Sequence, residues 1–398
     1  MNPRLEHLHQ YPFERLNALL SKVKPNPELA EILLSLGEPK HAPPGFILDY
    51  LADQGEMTRH LSTYPATKGI EQLRNSISAW LARRFGVTAD PDTQILPVNG
   101  TREALFSIAQ ACLSGNTESL VLTPNPFYQI YEGAAILGGA RPLYISNDPL
   151  NDYQQNFESI DITTWQKTEL VYICSPGNPT GQVMSQQQMI RLIELSETFD
   201  FIIASDECYS EIYFDDKAPP GSLLAACKAM GNDLYKNCII FHSLSKRSNL
   251  PGLRSGFVAG DAELLNTYLL YRTYHGCAMS AHHQVASCLA WDDEKHVEEN
   301  RTLYRQKFEI VEKILAPTFD IKTPSGGFYH WLRVPGDDTV FAEDLMREMH
   351  VKVIPGQYLA RHDGHTNPGQ SHIRIAWVSE LAHCSEAAHR LVDFTRRR

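Results

Sequence analysis

The sequence predicts an α/β fold: a large domain with a mostly parallel sheet sandwiched by helices, plus a smaller α+β domain. Three observations carry this. Short apolar, β-prone runs at 93–98, 118–122, 169–174, 201–205, 238–242 and 256–260 alternate with helical segments at 69–85, 103–113, 126–137 and 185–199, the pattern of strands joined by crossover helices. The chain has 398 residues, more than one simple core accommodates. Polar, chemically capable residues follow the apolar runs, and ligands of such sheets gather at the carboxyl ends of the strands.

In chain order, residues 1–45 hold seven prolines and one short helical pattern from Glu14 to Val23. This reads as an N-terminal arm that forms part of the small domain. Residues 46–290 form the large domain. Beyond them come a long charged helix at 292–315, strand-like pieces at 328–334 and 351–354, and a last helix from about 380. These make a small C-terminal domain over 291–398.

Hydrophobic residues are 43% and charged residues 21% of the chain, with a net charge of −11. That is an ordinary globular balance, and the acidity excludes a nucleic-acid binder, which needs a basic face. The arginines at 396–398 read as a solvated tail. Eight scattered cysteines with no C-x-x-C pair suggest buried thiols in a reducing compartment, with no disulfides and no metal site. No signal peptide and no run of membrane-spanning length is visible. A cytoplasmic location without a membrane partner is expected.

The chemistry lies at the strand ends. The run 94–98 leads into Asn99-Gly100-Thr101-Arg102 at the start of a helix. Glycine and the free N–H groups of a first helical turn can cradle a phosphate, although a plain N-cap at Thr101 is the better reading of this motif alone. The run 170–174 leads into Ser175-Pro176-Gly177-Asn178-Pro179-Thr180-Gly181, a rigid turn that can also aim the Asn178 amide at a ligand oxygen. The run 201–205 ends at Asp206-Glu207-Cys208-Tyr209. A carboxylate there needs a partner; a protonated pyridine nitrogen fits, and a helix cap is the alternative. Finally, 238–242 leads into Ser243-Leu244-Ser245-Lys246, with Arg254 eight residues on. A lysine whose ammonium is destabilised forms an imine, and serines with an arginine bind a phosphate dianion.

The succession Asn178-Pro179-Thr180-Gly181, Asp206 to Tyr209, Ser243 to Lys246 and Arg254 resembles the class I/II aminotransferases of fold type I. That resemblance implies pyridoxal 5′-phosphate as cofactor and Lys246 as its Schiff-base lysine and proton carrier. It places Asp206 on the pyridine nitrogen, Tyr209 and Asn178 on the phenolic oxygen, and Tyr128 against the ring. The phosphate falls to Gly100, Thr101, Arg102, Ser243, Ser245 and Arg254. Tyr64 would reach the phosphate of a neighbouring subunit, implying a homodimer with shared sites. Arg374 would grip the substrate α-carboxylate beneath a loop containing Gly37.

The N-terminal Met1-Asn2-Pro3-Arg4-Leu5 stretch through Tyr11-Pro12-Phe13-Glu14, with Tyr271 to Ala278, is most similar to the proteobacterial succinyldiaminopimelate aminotransferases. This implies N-succinyl-2-amino-6-oxopimelate and glutamate as substrates, in lysine and diaminopimelate biosynthesis. A gap-free match of Tyr271–Ala286 to aspartate aminotransferases offers Arg272 as the group for a distal carboxylate across the dimer interface; an arginine packing its stem in an interface helix explains it equally well. The rivals are aspartate, aromatic or kynurenine specificity and a carbon–sulfur lyase on the same cofactor. A cofactor-sensing transcription regulator would need a DNA-binding domain that the proline-broken arm does not supply. A nicotinamide enzyme would need a G-x-G-x-x-G turn after its first strand, and there is none.

Overall fold

Alternation within the apolar runs decides the layering. Val171 and Ile173 point into one hydrophobic core, shared with Ile203 and Ile240. Their neighbours Leu170 and Tyr172 point into a second core with Ala204, Ile239 and Phe241. A strand whose two faces are both buried belongs to the centre of a helix-covered sheet. In a computed structural model that describes residues 1–364 and 366–397, these strands form a seven-stranded sheet. Its spatial order is Ile95–Val98, Gly256–Gly260, Cys238–Ser243, Ile202–Asp206, Thr168–Cys174, Leu120–Asn125 and Arg141–Ser146. All pairings are parallel except the two made by Gly256–Gly260.

Register places the chemistry on one rim. Cys174 lies opposite Asp206, and Asp206 opposite Phe241, so the segments that follow these strands leave the sheet at one level. The reversed strand begins there: Gly256 pairs with both Ser243 and Val98. Arg254 therefore precedes its strand yet reaches the rim that the other site residues reach by following theirs.

A smaller antiparallel sheet joins Ile354–Pro355, His372–Ala376 and Tyr329–Arg333. Helices Lys295–Leu315, Asp338–Met349 and Leu381–Arg396 bury their apolar faces in the core beside it. Near the N-terminus, Ile32–Leu33 pairs in parallel with Val351–Lys352. Helix Pro12–Leu20 puts Leu16 against Ile354, Tyr358 and Leu359. Before that helix, Arg4 donates to the Leu137 carbonyl at 3.4 Å and His9 meets Glu132 at 3.2 Å on the large domain. The first twenty residues thus cross from one domain to the other. Helix Leu381–Arg396 ends in exposed Arg396 and Arg397; Arg398 lies outside the described residues.

Two of the differences from the sequence expectation have a clear physical reason. Strand Arg141–Ser146 was unexpected: it is a sheet edge, only partly buried, so its sequence lacks a continuous apolar run and tolerates Pro142. Helix Thr101–Cys112 has Gly100 as its N-cap, with φ 83° and no side-chain cap. Thr101 is the first helical residue, and its hydroxyl meets the Cys208 thiol at 3.0 Å. The N-cap reading of Thr101 is therefore corrected.

Candidate active site

Along the rim, between the two domains, lies a cavity of about 520 Å³. Of the residues singled out in the sequence, Gly37, Thr101, Arg102, Tyr128, Asn178, Asp206, Tyr209, Ser243, Ser245, Lys246, Arg254 and Arg374 line it. Gly100 lies just behind: a Cβ there would overlap the Arg254 guanidinium. Two others, Arg272 and Tyr64, lie away from the cavity.

Lys246 sits in the single helical turn Leu244–Arg247, directly after strand Cys238–Ser243. Its Nζ donates to the Gly37 carbonyl at 2.6 Å. Removal from water lowers its pKa to about 8; Cys208 and Glu38 oppose that shift, and Arg374 and Arg254 add to it. The turn is fixed from behind by Arg247, which donates to the Ala290 carbonyl at 2.6 Å and pairs with Glu294 at 2.8 Å.

Asp206 is buried at the end of its strand. It accepts from the Tyr131 hydroxyl at 2.7 Å and the Cys208 N–H at 3.2 Å. No helix follows it, so the capping alternative falls. No cation forms an ion pair with it among the described residues, and burial pushes its pKa upward. A buried carboxylate with neutral donors is completed by a positively charged ligand.

Arg374 donates to Asn178 Oδ1 at 3.0 Å and the Ser35 carbonyl at 2.7 Å, leaving its Nε without a partner. The peptide bond Asn178–Pro179 is cis. Arg254 donates to the carbonyls of Pro251 at 2.9 Å and Asn99 at 3.3 Å. Beside it stand the N–H groups opening helix Thr101–Cys112 and the hydroxyls of Ser243 and Ser245. This donor set suits a phosphate. A lysine of lowered pKa, a carboxylate without a cation and a donor set suited to a phosphate, brought together on one rim, fit pyridoxal phosphate.

Arg272 is one of the two outside the cavity. It is 1% exposed within its own chain. Its guanidinium is held by Glu103, by the Tyr268 hydroxyl at 3.2 Å and by the Cys277 carbonyl at 3.0 Å. Within its own chain the Arg272 charge is already paired with Glu103, and freeing it would strand that carboxylate. Arg272→Ala is expected to cost about 3 kcal/mol of stability, read as a fall in the thermal midpoint. The ratio of turnover with glutamate to that with an apolar donor should not change. Tyr64 is the other, fully exposed on the single chain.

The sequence reading missed Tyr131 and Tyr329. Tyr131 lies three residues beyond Tyr128, their rings 5.8 Å apart, and helical spacing from Tyr128 was a usable signal. Tyr329 enters from the small-domain sheet, and its hydroxyl lies 2.9 Å from that of Tyr209. The missed Tyr11 and Phe13 also line the cavity, and Arg102 lies over the Tyr11 ring at 5.3 Å.

Residues 30–391 match the family described as aminotransferase class I and II. The chain is 30% identical over 365 residues to an LL-diaminopimelate aminotransferase of Nitratidesulfovibrio vulgaris, covering 90% of each chain. An aminotransferase structure from Neisseria meningitidis superposes with a TM-score of 0.94 at 46% identity over 100% of both chains. Aminotransferase AspB of Helicobacter pylori does so at 0.90 and 35%, covering 98% of this chain and 100% of that one. The chain belongs to the class I and II aminotransferases and is a pyridoxal-phosphate-dependent transaminase of fold type I.

Proposed function

We propose that the protein transfers an amino group between glutamate and an acylated diaminopimelate-type oxo acid, N-succinyl-2-amino-6-oxopimelate, in lysine and diaminopimelate biosynthesis. Both amino acids carry a carboxylate distant from the reacting amine. The observation that supports the reading is Arg102: its backbone N–H opens the helix offered to the phosphate, while its guanidinium lies over the Tyr11 ring in the cavity lining and meets no carboxylate among the described residues. An unpaired guanidinium at the mouth is suited to a distal carboxylate, as Arg374 deep in the cavity is to the α-carboxylate.

When bound, pyridoxal phosphate supplies an electron sink for a Cα–H bond. The protein residues divide the remaining work. Lys246 releases its amine and moves the proton. Asp206 presents its carboxylate to the ring nitrogen, while Tyr131 and the Cys208 N–H hold that carboxylate still. Tyr209 and Asn178 take the phenolic oxygen, and Tyr128 lies against the ring. The N–H groups after Gly100, with Ser243, Ser245 and Arg254, hold the phosphate. Arg374 and Asn178 orient the substrate carboxylate, and the chain near Gly37 covers it.

Our reading also makes the protein a homodimer in which Tyr64 serves the partner's phosphate. Phe46, Leu48, Leu61, Tyr64 and Leu289 are exposed on or beside three helices that pack together, Gly45–Ala52, Gln54–Leu61 and Ala281–Asp292. Exposed apolar side chains gathered on these packed helices favour a protein contact. Eight free cysteines, six of them buried, support a reducing, cytoplasmic setting.

A second reading has its own support. The relatives named for LL-diaminopimelate favour the unsubstituted diamino acid. A half-reaction survey separates the two. The cofactor-loaded enzyme is mixed with glutamate, aspartate, phenylalanine, N-succinyl-diaminopimelate or LL-diaminopimelate, and loss of the visible cofactor absorption is followed. Fast conversion by glutamate and the succinylated compound is expected. Conversion by LL-diaminopimelate with none by the succinylated compound would transfer the assignment to the second reading.

A further inference from the structure

The cavity holds one buried polar contact that the proposed chemistry does not use, between the hydroxyls of Tyr209 and Tyr329, 2.9 Å apart. We propose that Tyr329 is a positioning residue: its hydroxyl fixes the direction in which Tyr209 donates, and so sets how firmly Tyr209 holds the phenolic oxygen of the cofactor. The inference rests on the placement of Tyr209 at that oxygen.

Proton counting gives the direction. A hydroxyl has one proton to donate and lone pairs to accept with. An ionised phenolic oxygen only accepts, so Tyr209 must spend its proton there. The hydrogen in the tyrosine pair then has to come from Tyr329. Both side chains are buried, and burial raises the pKa of each hydroxyl, so both keep their protons at neutral pH. A hydroxyl that accepts one hydrogen bond becomes a stronger donor in the next. Tyr329 thereby strengthens the bond from Tyr209 without touching the cofactor.

The fold takes specific steps to bring the two hydroxyls together. Tyr329 opens strand Tyr329–Arg333 of the small domain, whereas Tyr209 follows a strand of the large one. Two glycines just before Tyr329 clasp the domains: Gly326 donates to the Gly181 carbonyl at 3.0 Å and Gly327 to the Ile212 carbonyl at 2.8 Å. On the other side, a Cβ on Gly37 would overlap the Tyr329 hydroxyl. Gly37 is therefore tied to this hydroxyl as well as to Lys246. The Tyr329 ring has a separate task, lying under the Arg374 guanidinium at 4.5 Å. Tyr329→Phe removes the hydroxyl and keeps that ring.

The test is a pH titration of the visible absorption of the cofactor-loaded enzyme, run on wild type, Tyr329→Phe, Tyr209→Phe and the double variant. Tyr329→Phe is expected to raise the titration midpoint by about half a unit to one unit, because the phenolic oxygen loses stabilisation of its ionised form. KM for glutamate should stay at the wild-type value, since Arg374 keeps its support. Tyr209→Phe should raise the midpoint further, and the double variant should match Tyr209→Phe alone, the mark of one pathway. The inference is overturned if Tyr209→Phe moves the midpoint and Tyr329→Phe does not, or if the Tyr329→Phe effect persists without the Tyr209 hydroxyl. Should Tyr209→Phe itself leave the midpoint unmoved, the placement of Tyr209 is wrong and the inference falls with it.

Discussion

Lys246→Ala is expected to abolish transamination, lowering single-turnover conversion of glutamate by about 10⁴-fold or more. Moving the Cα proton with a placed base contributes roughly 10²–10⁴-fold by itself, and loss of the imine-forming amine adds to that. The nearby cations Arg374 and Arg254 hold guanidinium protons too tightly to act as bases. The fold should survive, because the change vacates an open cavity and leaves mainly the Gly37 carbonyl, the acceptor of Nζ, without its partner. A melting curve close to wild type with turnover lost separates chemistry from stability; near-wild-type turnover would overturn the assignment. The intact lysine has a pH signature. With its pKa lowered to about 8, about one Lys246 in ten is a free amine at pH 7, against roughly one in several thousand for an ordinary lysine. Only the free amine attacks an aldehyde, so capture of pyridoxal phosphate by the apoprotein should accelerate as pH rises through about 8 and then level off. A rate still climbing tenfold per unit above pH 9 would show an unperturbed lysine.

What the sequence revealed and what it hid follow from where each residue sits relative to the sheet. Lys246, Asp206 and Asn178 were legible because each follows closely on an apolar run, and parallel strands end on one rim. Gly256–Gly260 was legible as a strand, but its reversal, which brings Arg254 to that rim, leaves no mark in an apolar run. Tyr329 was hidden for a different reason. Its partner Tyr209 is 120 residues away, and only the packing of the small domain on the large one joins them. Arg272 shows how little a local match says about where a side chain points. Matching Tyr271–Ala286 without gaps aligned the residue, yet the direction of its guanidinium is decided by Glu103, on another helix.

The second large effect is expected at Asp206. Asp206→Asn keeps the shape of the side chain: Tyr131 can still donate to the remaining carbonyl oxygen, and the Cys208 N–H has the same acceptor if the amide turns its oxygen toward it, so one of the two donors loses full satisfaction. What disappears is the negative charge. In wild type, burial disfavours the ionised carboxylate, raising its pKa, while Tyr131 and the Cys208 N–H pull in the opposite direction. A protonated ring nitrogen would tip this balance towards the ion pair, and the carboxylate would keep the ring protonated in return. With asparagine neither would hold: the ring nitrogen of a bound cofactor would lose its proton, and the electron sink it supplies would weaken. A fixed charge aimed at a developing one is worth about 10²–10³-fold, and that is the fall expected in the half-reaction with glutamate. The loss should lie in the rate of conversion rather than in KM, because Arg374 still holds the α-carboxylate. A cofactor analogue methylated on the ring nitrogen carries its positive charge permanently and needs no counter-ion to stay charged. Loaded into Asp206→Asn, it should recover much of the lost rate, whereas in a variant that is merely misfolded it would recover none. If asparagine leaves the rate within about threefold of wild type, far inside the span expected of an electrostatic partner, then Asp206 holds the site together without charging it.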